Sequence, residues 1–128
     1  MILASGCFDG IHAGHVLYLR AAAQHGAGEV LVVAVAPDAY IRRVKGREPR
    51  WSLEDRMVAV QALDMVDRVV AHDDQGVANI VSELHPRLLV KGSDWETSME
   101  PDVLRACQAA GTSVLFVPEG QTPHCSAV

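Results

Sequence analysis

Two histidines spaced three residues apart lie in the first polar segment of the chain, which reads Gly6-Cys7-Phe8-Asp9-Gly10-Ile11-His12-Ala13-Gly14-His15. A helix that begins in such a segment offers backbone N–H groups and the positive end of its dipole, which suit phosphate. Two imidazoles at that end can donate hydrogen bonds to phosphate oxygens as negative charge grows. The alternative is that one histidine caps the helix and the other is merely exposed. The position of the pair directly after an apolar run favours phosphate binding.

Two further polar features could handle an anion. Five of the eleven Lys and Arg residues lie between Arg42 and Arg50, with only Glu48 against them. A basic cluster in a chain of net charge -5 indicates a local anionic ligand, although a solvated loop is the other interpretation. The second feature, Lys91-Gly92-Ser93-Asp94-Trp95, follows another apolar run. The overall negative charge argues against a general role in nucleic-acid binding.

These segments interrupt a regular alternation of strands and helices. The predicted strands are Ile2 to Ser5, Val30 to Ala36, Arg68 to Ala71, Leu88 to Val90 and Ser113 to Val117. The predicted helices run from about Gly14 to His25, onward from a cap at Ser52, from Val77 to Leu84 and from Pro101 to Ala110, whereas Arg42 to Trp51 is predicted as a loop. Such alternation predicts an α/β fold, a Rossmann-like doubly wound sandwich with a five-stranded parallel sheet in the order 3-2-1-4-5.

That strand order predicts where the ligand binds. Open α/β sheets bind ligands at the carboxyl ends of their strands, where the strand order reverses, which here is between strands one and four. The histidine segment follows strand one and the Lys91 segment follows strand four, so both are expected at one crevice. The 128 residues fit a single domain, residues 1–128.

Composition also sets the expected compartment. The three widely spaced cysteines argue against a disulfide framework or a zinc site and favour a reducing compartment. The chain opens without the basic start and long apolar stretch of a signal peptide, and it contains no apolar run of membrane-spanning length. We therefore expect a cytoplasmic protein with no membrane partner.

Four blocks of the sequence resemble a known family in their order and content. The histidine segment resembles the HxGH signature of the cytidylyltransferase-like nucleotidyltransferases. The blocks that follow are Arg42-Arg43-Val44-Lys45-Gly46-Arg47, then Ser52-Leu53-Glu54-Asp55-Arg56-Met57, then Leu89-Val90-Lys91-Gly92-Ser93-Asp94-Trp95. Within the family, the chain is most similar to the adenylyltransferase domains of ADP-heptose synthesis and is also similar to glycerol-3-phosphate cytidylyltransferases.

The resemblance implies transfer of an NMP group from a nucleoside triphosphate to a small phosphorylated acceptor, with release of pyrophosphate. AMP from ATP and a sugar or polyol phosphate are the expected partners. The alternatives are a CTP-dependent glycerol-3-phosphate cytidylyltransferase and a nucleotide-binding protein without turnover. A fragment of a class I aminoacyl-tRNA synthetase is disfavoured by the small size and by the lack of a KMSKS-like segment. No GxGxxG or P-loop pattern follows the first strand.

The same resemblance implies roles for individual residues. The predicted catalytic residues are His12, His15, Lys45 and Arg56. The predicted nucleotide-binding residues are Gly6, Cys7, Phe8, Asp9, Gly14, Lys91, Gly92, Asp94 and Ser126. Asp38 and Lys45 are predicted to bind the acceptor, with helix capping as the alternative for Asp38. Mg²⁺ is expected with the triphosphate, whose charge it shields.

Several assignments stay open at this level. Asp9 and Asp94 suit substrate binding, metal binding or helix capping, and Trp51 and Trp95 suit base stacking or packing. The family resemblance favours a homodimer. Where the family has a Ser-Thr-Thr-like segment opening a last helix, this chain has Ser126-Ala127-Val128 and ends. Either the chain is truncated there or its binding of the triphosphate is weakened.

Overall fold

Five strands form one parallel sheet in the computed structural model, which describes residues 1–26 and 28–118. The strands are β1 (Ile2–Gly6), β2 (Leu31–Val35), β3 (Arg68–Ala71), β4 (Leu88–Gly92) and β5 (Ser113–Val117). The helices are α1 (Ala13–Gln24), α2 (Asp38–Lys45), α3 (Leu53–Gln61), α4 (Ala78–Leu84) and α5 (Pro101–Ala110), and a 3-10 turn spans Ser93–Trp95. The strand order β3-β2-β1-β4-β5 confirms the predicted Rossmann-like sandwich.

The helices cover both faces of the sheet because successive strand residues point to opposite sides. Ile2 and Ala4 of β1 pack in one cluster with residues of α1 and α3. Leu3, between them, packs in the other cluster with residues of α4 and α5. All five residues of β2 are buried, as expected for a strand covered on both faces. None of the helices in residues 1–26 and 28–118 is long and apolar enough to cross a membrane.

The predicted loop from Arg42 to Trp51 is wrong in its first part, because Arg42 to Lys45 form the second half of α2. Pro37 follows the end of β2 and is also the N-cap residue of α2, and Gly46 ends the helix with a positive φ of 70°. Only Tyr40 and Ile41 of this eight-residue helix are buried, so its apolar period is too short to recognise. Three basic residues in its last turn lie at the negative end of the helix dipole.

Other element bounds differ from the prediction by one or two residues. Strand β4 continues to Gly92, because it pairs with β5 up to Val117. Strand β2 begins at Leu31 rather than Val30. The predicted cap of α3 is confirmed, since the Ser52 hydroxyl accepts a hydrogen bond from the backbone N–H of Asp55 at 3.2 Å.

The central strands β1 and β4 separate before either of them ends. Their pairing stops at Ala4 and Val90, while each strand continues to pair with its outer neighbour. The hydroxyl of Tyr18, on α1, occupies the opening. It donates to the Val90 carbonyl at 2.7 Å and lies 3.4 Å from the Ser5 backbone nitrogen. A side chain from the first helix thus bridges the point where the strand order reverses.

Replacing Tyr18 with Phe is expected to lower the free energy of unfolding by about 1–2 kcal/mol, because buried backbone groups of both strands lose a partner. Chemical denaturation of the two proteins measures this difference. Ser82→Ala, which removes an exposed hydroxyl from α4, is the control and should leave stability unchanged. Equal stability of the Phe variant and the wild type would show that the bridge contributes nothing.

Candidate active site

A strained turn connects β1 to the histidines. Phe8 is buried at 2% exposure and has a positive φ of 51°, and Gly10 follows with a φ of 102°. A Cβ atom on Gly6 would lie 2.9 Å from the Phe8 ring, so a larger residue there would force the ring to move. Non-glycine residues rarely adopt such a conformation, and it is concentrated at ligand-binding and active sites.

His12 and His15 cap the first helix reciprocally. Nδ1 of His12 accepts a hydrogen bond from the backbone N–H of Gly14 at 3.0 Å. Nδ1 of His15 accepts from the backbone N–H of His12 at 3.2 Å. The rings lie 4.1 Å apart, and His15 also contacts the ring of Phe8. Helix capping, the alternative interpretation of the pair, is therefore present, but it uses only one nitrogen of each ring.

The caps determine which ring nitrogen can donate. In a neutral imidazole, one nitrogen accepts a hydrogen bond and the other carries the proton. Because Nδ1 is the acceptor in both caps, the proton of each ring is on Nε2. Burial, with a smaller contribution from neighbouring His12, lowers the pKa of His15 to about 4. His15 is consequently neutral at physiological pH. The pair presents two Nε2–H donors that need no proton uptake to bind an oxyanion.

Lys91 enters the crevice from β4. Its side chain is buried, and Nζ donates to the Ser5 hydroxyl at 3.1 Å. The ammonium also lies 4.3 Å from the centroid of the Trp95 ring, in a cation–π contact. This contact gives Trp95 a role in holding the lysine. His12 and His15 follow β1, the strand adjacent to β4, so the lysine and the histidines share one end of the sheet.

Asp9 binds the segment that follows α2. Its carboxylate accepts from the Arg47 side chain at 2.7 Å and from the backbone N–H groups of Arg50 and Trp51 at 2.9 and 3.0 Å. Burial alone would raise the pKa of Asp9, but these hydrogen bonds lower it below its usual value. The carboxylate thus ties the histidine turn to the basic segment. Substrate binding, metal binding and helix capping stay predictions for Asp9, because this contact tests none of them.

Arg56, on α3, is 1% exposed and donates four hydrogen bonds to the protein. The acceptors are the Trp51, Cys7 and Ala36 carbonyls at 3.0, 2.8 and 2.6 Å and a carboxylate oxygen of Asp38 at 2.6 Å. Asp38 therefore pairs with Arg56 instead of capping α2, whose cap residue is Pro37. The guanidinium joins the ends of β1 and β2 to the start of α3.

The remaining predicted residues are placed as follows. Lys45 is exposed at the end of α2, and Gly14 lies buried in the first turn of α1. Cys7 is half-buried, and burial raises the pKa of its thiol although Lys45, Arg56, Lys91 and Arg47 oppose the shift. Gly92 ends β4. The side chain of Asp94 and all of Ser126 lie outside the described residues, so their predicted roles stay predictions.

A cavity of about 270 Å³ lies beside the histidine turn and α3. Its lining is largely apolar and includes Phe8, Ile11, Trp51 and Ala59. Trp51 is 55% exposed at its rim. The stacking and packing interpretations of this tryptophan both remain compatible with that position.

Sequence reasoning missed residues that act through partners distant in the chain. Ser5 binds Lys91, and Tyr18 bridges β1 and β4. Arg47 binds Asp9 across 38 residues of sequence. Ser5 directly precedes the histidine segment, which was a usable signal. Tyr18 carries none, because a helix tyrosine is an ordinary residue, and the basic cluster that contains Arg47 does not reveal Asp9 as its partner.

Comparison with known proteins extends this picture. A family model described as cytidylyltransferase-like matches residues 3–127. The bifunctional protein HldE of Coxiella burnetii is 42% identical over 99 residues, which cover 77% of this chain and 20% of that protein. HldE of Halorhodospira halophila is 42% identical over 121 residues, which cover 92% of this chain and 24% of that protein. The chain thus spans about a quarter or less of these curated relatives.

A solved structure supports the same relationship. The lipopolysaccharide core biosynthesis protein from Thermoplasma volcanium GSS1 superposes with a TM-score of 0.74 at 26% identity, covering 94% of this chain and 96% of that one. The matches confirm the nucleotidyltransferase class predicted from the four sequence blocks. Since the family match extends over nearly all of its residues, the chain belongs to the cytidylyltransferase-like family.

Proposed function

We propose that this domain transfers AMP from ATP to a sugar or polyol phosphate and releases pyrophosphate. The observation that carries the proposal is the pair of neutral Nε2–H donors at the start of α1, on the same end of the sheet as Lys91. The HldE relatives support the choice of acceptor class, since the chain is 42% identical to them over most of its length. The reaction is a direct attack of the acceptor phosphate on the α-phosphorus.

In this mechanism, the protein positions the reactants and stabilises charge, and it forms no covalent bond to them. His12 and His15 donate to oxygens of the triphosphate as charge builds in the transition state. Lys91 adds positive charge from β4. The positive end of α1 faces the same phosphates. Cys7, Phe8 and Asp9 shape the turn that brings the backbone close to the nucleotide.

The proposed binding of the acceptor depends on Lys45 and on its position relative to the crevice. Lys45 lies exposed at the end of α2. Because its side chain is not packed in the core, it can extend to the acceptor phosphate or the α-phosphate. Direct contact of Arg56 with the leaving group stays a prediction, but its burial favours a positioning role. Through its bond to Asp38 it sets the direction of the first turn of α2, and so the position of Lys45.

Mg²⁺ fits this site as a companion of the triphosphate. Over residues 1–26 and 28–118, no group of three or more His, Cys, Asp or Glu side chains could hold a metal ion. The surroundings proposed for the phosphates are donors, namely His12, His15 and Lys91. Phosphate oxygens and water would therefore be the main ligands of the ion, which shields the charge of the triphosphate when bound.

The proposed nucleotide is tested by thermal shift with ATP, CTP, GTP and UTP in the presence of Mg²⁺. ATP is expected to raise Tm most, because a ligand that binds only the folded state stabilises it by mass action. A larger shift with CTP would instead favour the cytidylyltransferase alternative. A nucleotide shift without pyrophosphate release, over a panel of sugar and polyol phosphates, would favour binding without turnover.

The histidine roles are tested by a pair of substitutions at position 12. His12→Asn keeps a good capping residue but removes the Nε2–H donor, whereas His12→Ala removes both. Both variants should lose about a hundredfold or more in kcat, as for a lost oxyanion donor. Only the Ala variant should also lose about 1 kcal/mol of stability, because it lacks the cap. Wild-type turnover by the Asn variant would reduce His12 to a helix cap.

We further propose that the chain forms a homodimer through the face that carries α1 and α3. Val58 on α3 is 71% exposed and Leu17 on α1 is 43% exposed, and covering such apolar surface favours association. Sedimentation velocity should give a dimer, and Val58→Glu should shift it to monomer. Leu104→Glu, on α5 at the opposite face, is the control. A wild-type monomer at micromolar concentration would contradict this assembly.

A further inference from the structure

Three side chains from separate elements meet near the crevice. Tyr40 lies on α2, His72 follows β3 directly and Glu100 directly precedes α5. The Tyr40 hydroxyl donates to Oε1 of Glu100 at 3.1 Å, and the Tyr40 and His72 rings contact edge to face at 4.9 Å. The group therefore lies at the carboxyl ends of the strands, where this type of sheet binds ligands.

Tyr40 and His72 are both neutral at physiological pH. Burial, together with the adjacent Glu100 carboxylate, raises the pKa of Tyr40, which stays a neutral donor. Burial likewise lowers the pKa of His72. Nδ1 of His72 lies 2.7 Å from the Asp73 carbonyl and so donates to it. Glu100, which is half-buried, contributes the carboxylate of this cluster.

The Glu100 carboxylate lies between Tyr40 and Gly76. Tyr40 binds one oxygen, and Gly76 leaves room for the carboxylate because it has no side chain. A Cβ atom at Gly76 would lie 3.1 Å from Oε1 and 3.4 Å from Oε2, so a side chain there would displace the carboxylate. Gly76 also has a positive φ of 125°, which glycine adopts without strain. An ordered carboxylate of this kind can accept further hydrogen bonds.

The Glu100 carboxylate contrasts with the donors at the start of α1 and on β4, although the Arg43 guanidinium lies 5.3 Å from the centroid of the Tyr40 ring. His12, His15 and Lys91 suit anions, whereas a fixed carboxylate accepts hydroxyl hydrogens and repels anions. A ligand that satisfies both regions carries phosphate at one end and hydroxyl groups at the other.

We propose that Glu100, held by Tyr40, determines acceptor specificity by accepting hydrogen bonds from acceptor hydroxyls and rejecting acceptors with an anionic group at that end. This inference rests on the proposed transfer to a phosphorylated acceptor. It adds a selection rule for the acceptor, carried by residues outside the HxGH segment.

Two matched pairs of probes test the selection. Glycerol 3-phosphate and 3-phosphoglycerate differ by a carboxylate in place of a hydroxymethyl group, as do glucose 1-phosphate and glucuronic acid 1-phosphate. Binding is measured by calorimetry with Mg²⁺ and α,β-methylene-ATP, so that transfer cannot occur. The wild type should prefer the hydroxyl member of a pair by tenfold or more. Glu100→Gln, which keeps an oxygen acceptor for Tyr40, should reduce that preference about tenfold.

Two further variants separate charge from structure. Glu83→Gln removes an equal charge from the exposed side of α4 and should leave the preference unchanged. Tyr40→Phe frees the carboxylate without removing its charge, so binding of the hydroxyl probes should weaken a few fold while rejection of the anionic probes persists. Melting curves establish that each variant is folded.

The outcomes distinguish this inference from the function on which it rests. An unchanged preference in folded Glu100→Gln overturns the role of Glu100 and leaves the transferase proposal intact. Binding of the nucleotide analogue with no binding of any probe overturns both the role of Glu100 and the proposed acceptor class. If the preference falls as much in Glu83→Gln as in Glu100→Gln, the cause is a general charge effect. That result would also overturn the role of Glu100.

Discussion

The buried guanidinium of Arg56 is the interaction on which the geometry of the site depends. A charge in that position is tolerated only when it is paired and its N–H groups are bonded, and here one carboxylate and three carbonyls meet those needs. Those acceptors belong to the end of β1, the end of β2, α2 and the residue before the cap of α3. Because one planar group binds them all, the positions of these segments depend on one another.

In the histidine pair, the capping hydrogen bonds also orient the groups that are proposed to act in catalysis. A serine or aspartate would cap α1 as well as His12 does. Neither side chain, however, has a second nitrogen that can donate a hydrogen bond while the first atom caps the helix. The cap orients each ring and, at the same time, selects the tautomer that donates from Nε2. The structural and functional interpretations of the motif are therefore two consequences of one hydrogen-bond arrangement.

The sheet could be predicted from sequence because buried parallel strands appear as apolar runs and turns separate them from helices. The residues after β1 and β4 could be predicted for the same reason, since strand order brings them together. Helix α2 could not, because two buried residues in eight give no visible period. The contacts of Arg56 and Tyr18 also could not, because their partners lie up to 72 residues away in sequence and depend on packing.

Helix α2 links these features, because it is fixed at both ends by residues that border the crevice. At its start, Asp38 binds Arg56 and Tyr40 binds Glu100. Beyond its end, Arg47 and the following backbone bind Asp9 in the histidine turn. Lys45 therefore lies on an element whose position is set by the β1, β2 and α5 sides together. If Glu100 and Lys45 have the roles proposed for them, selection of the acceptor and placement of positive charge both depend on the position of this one short helix.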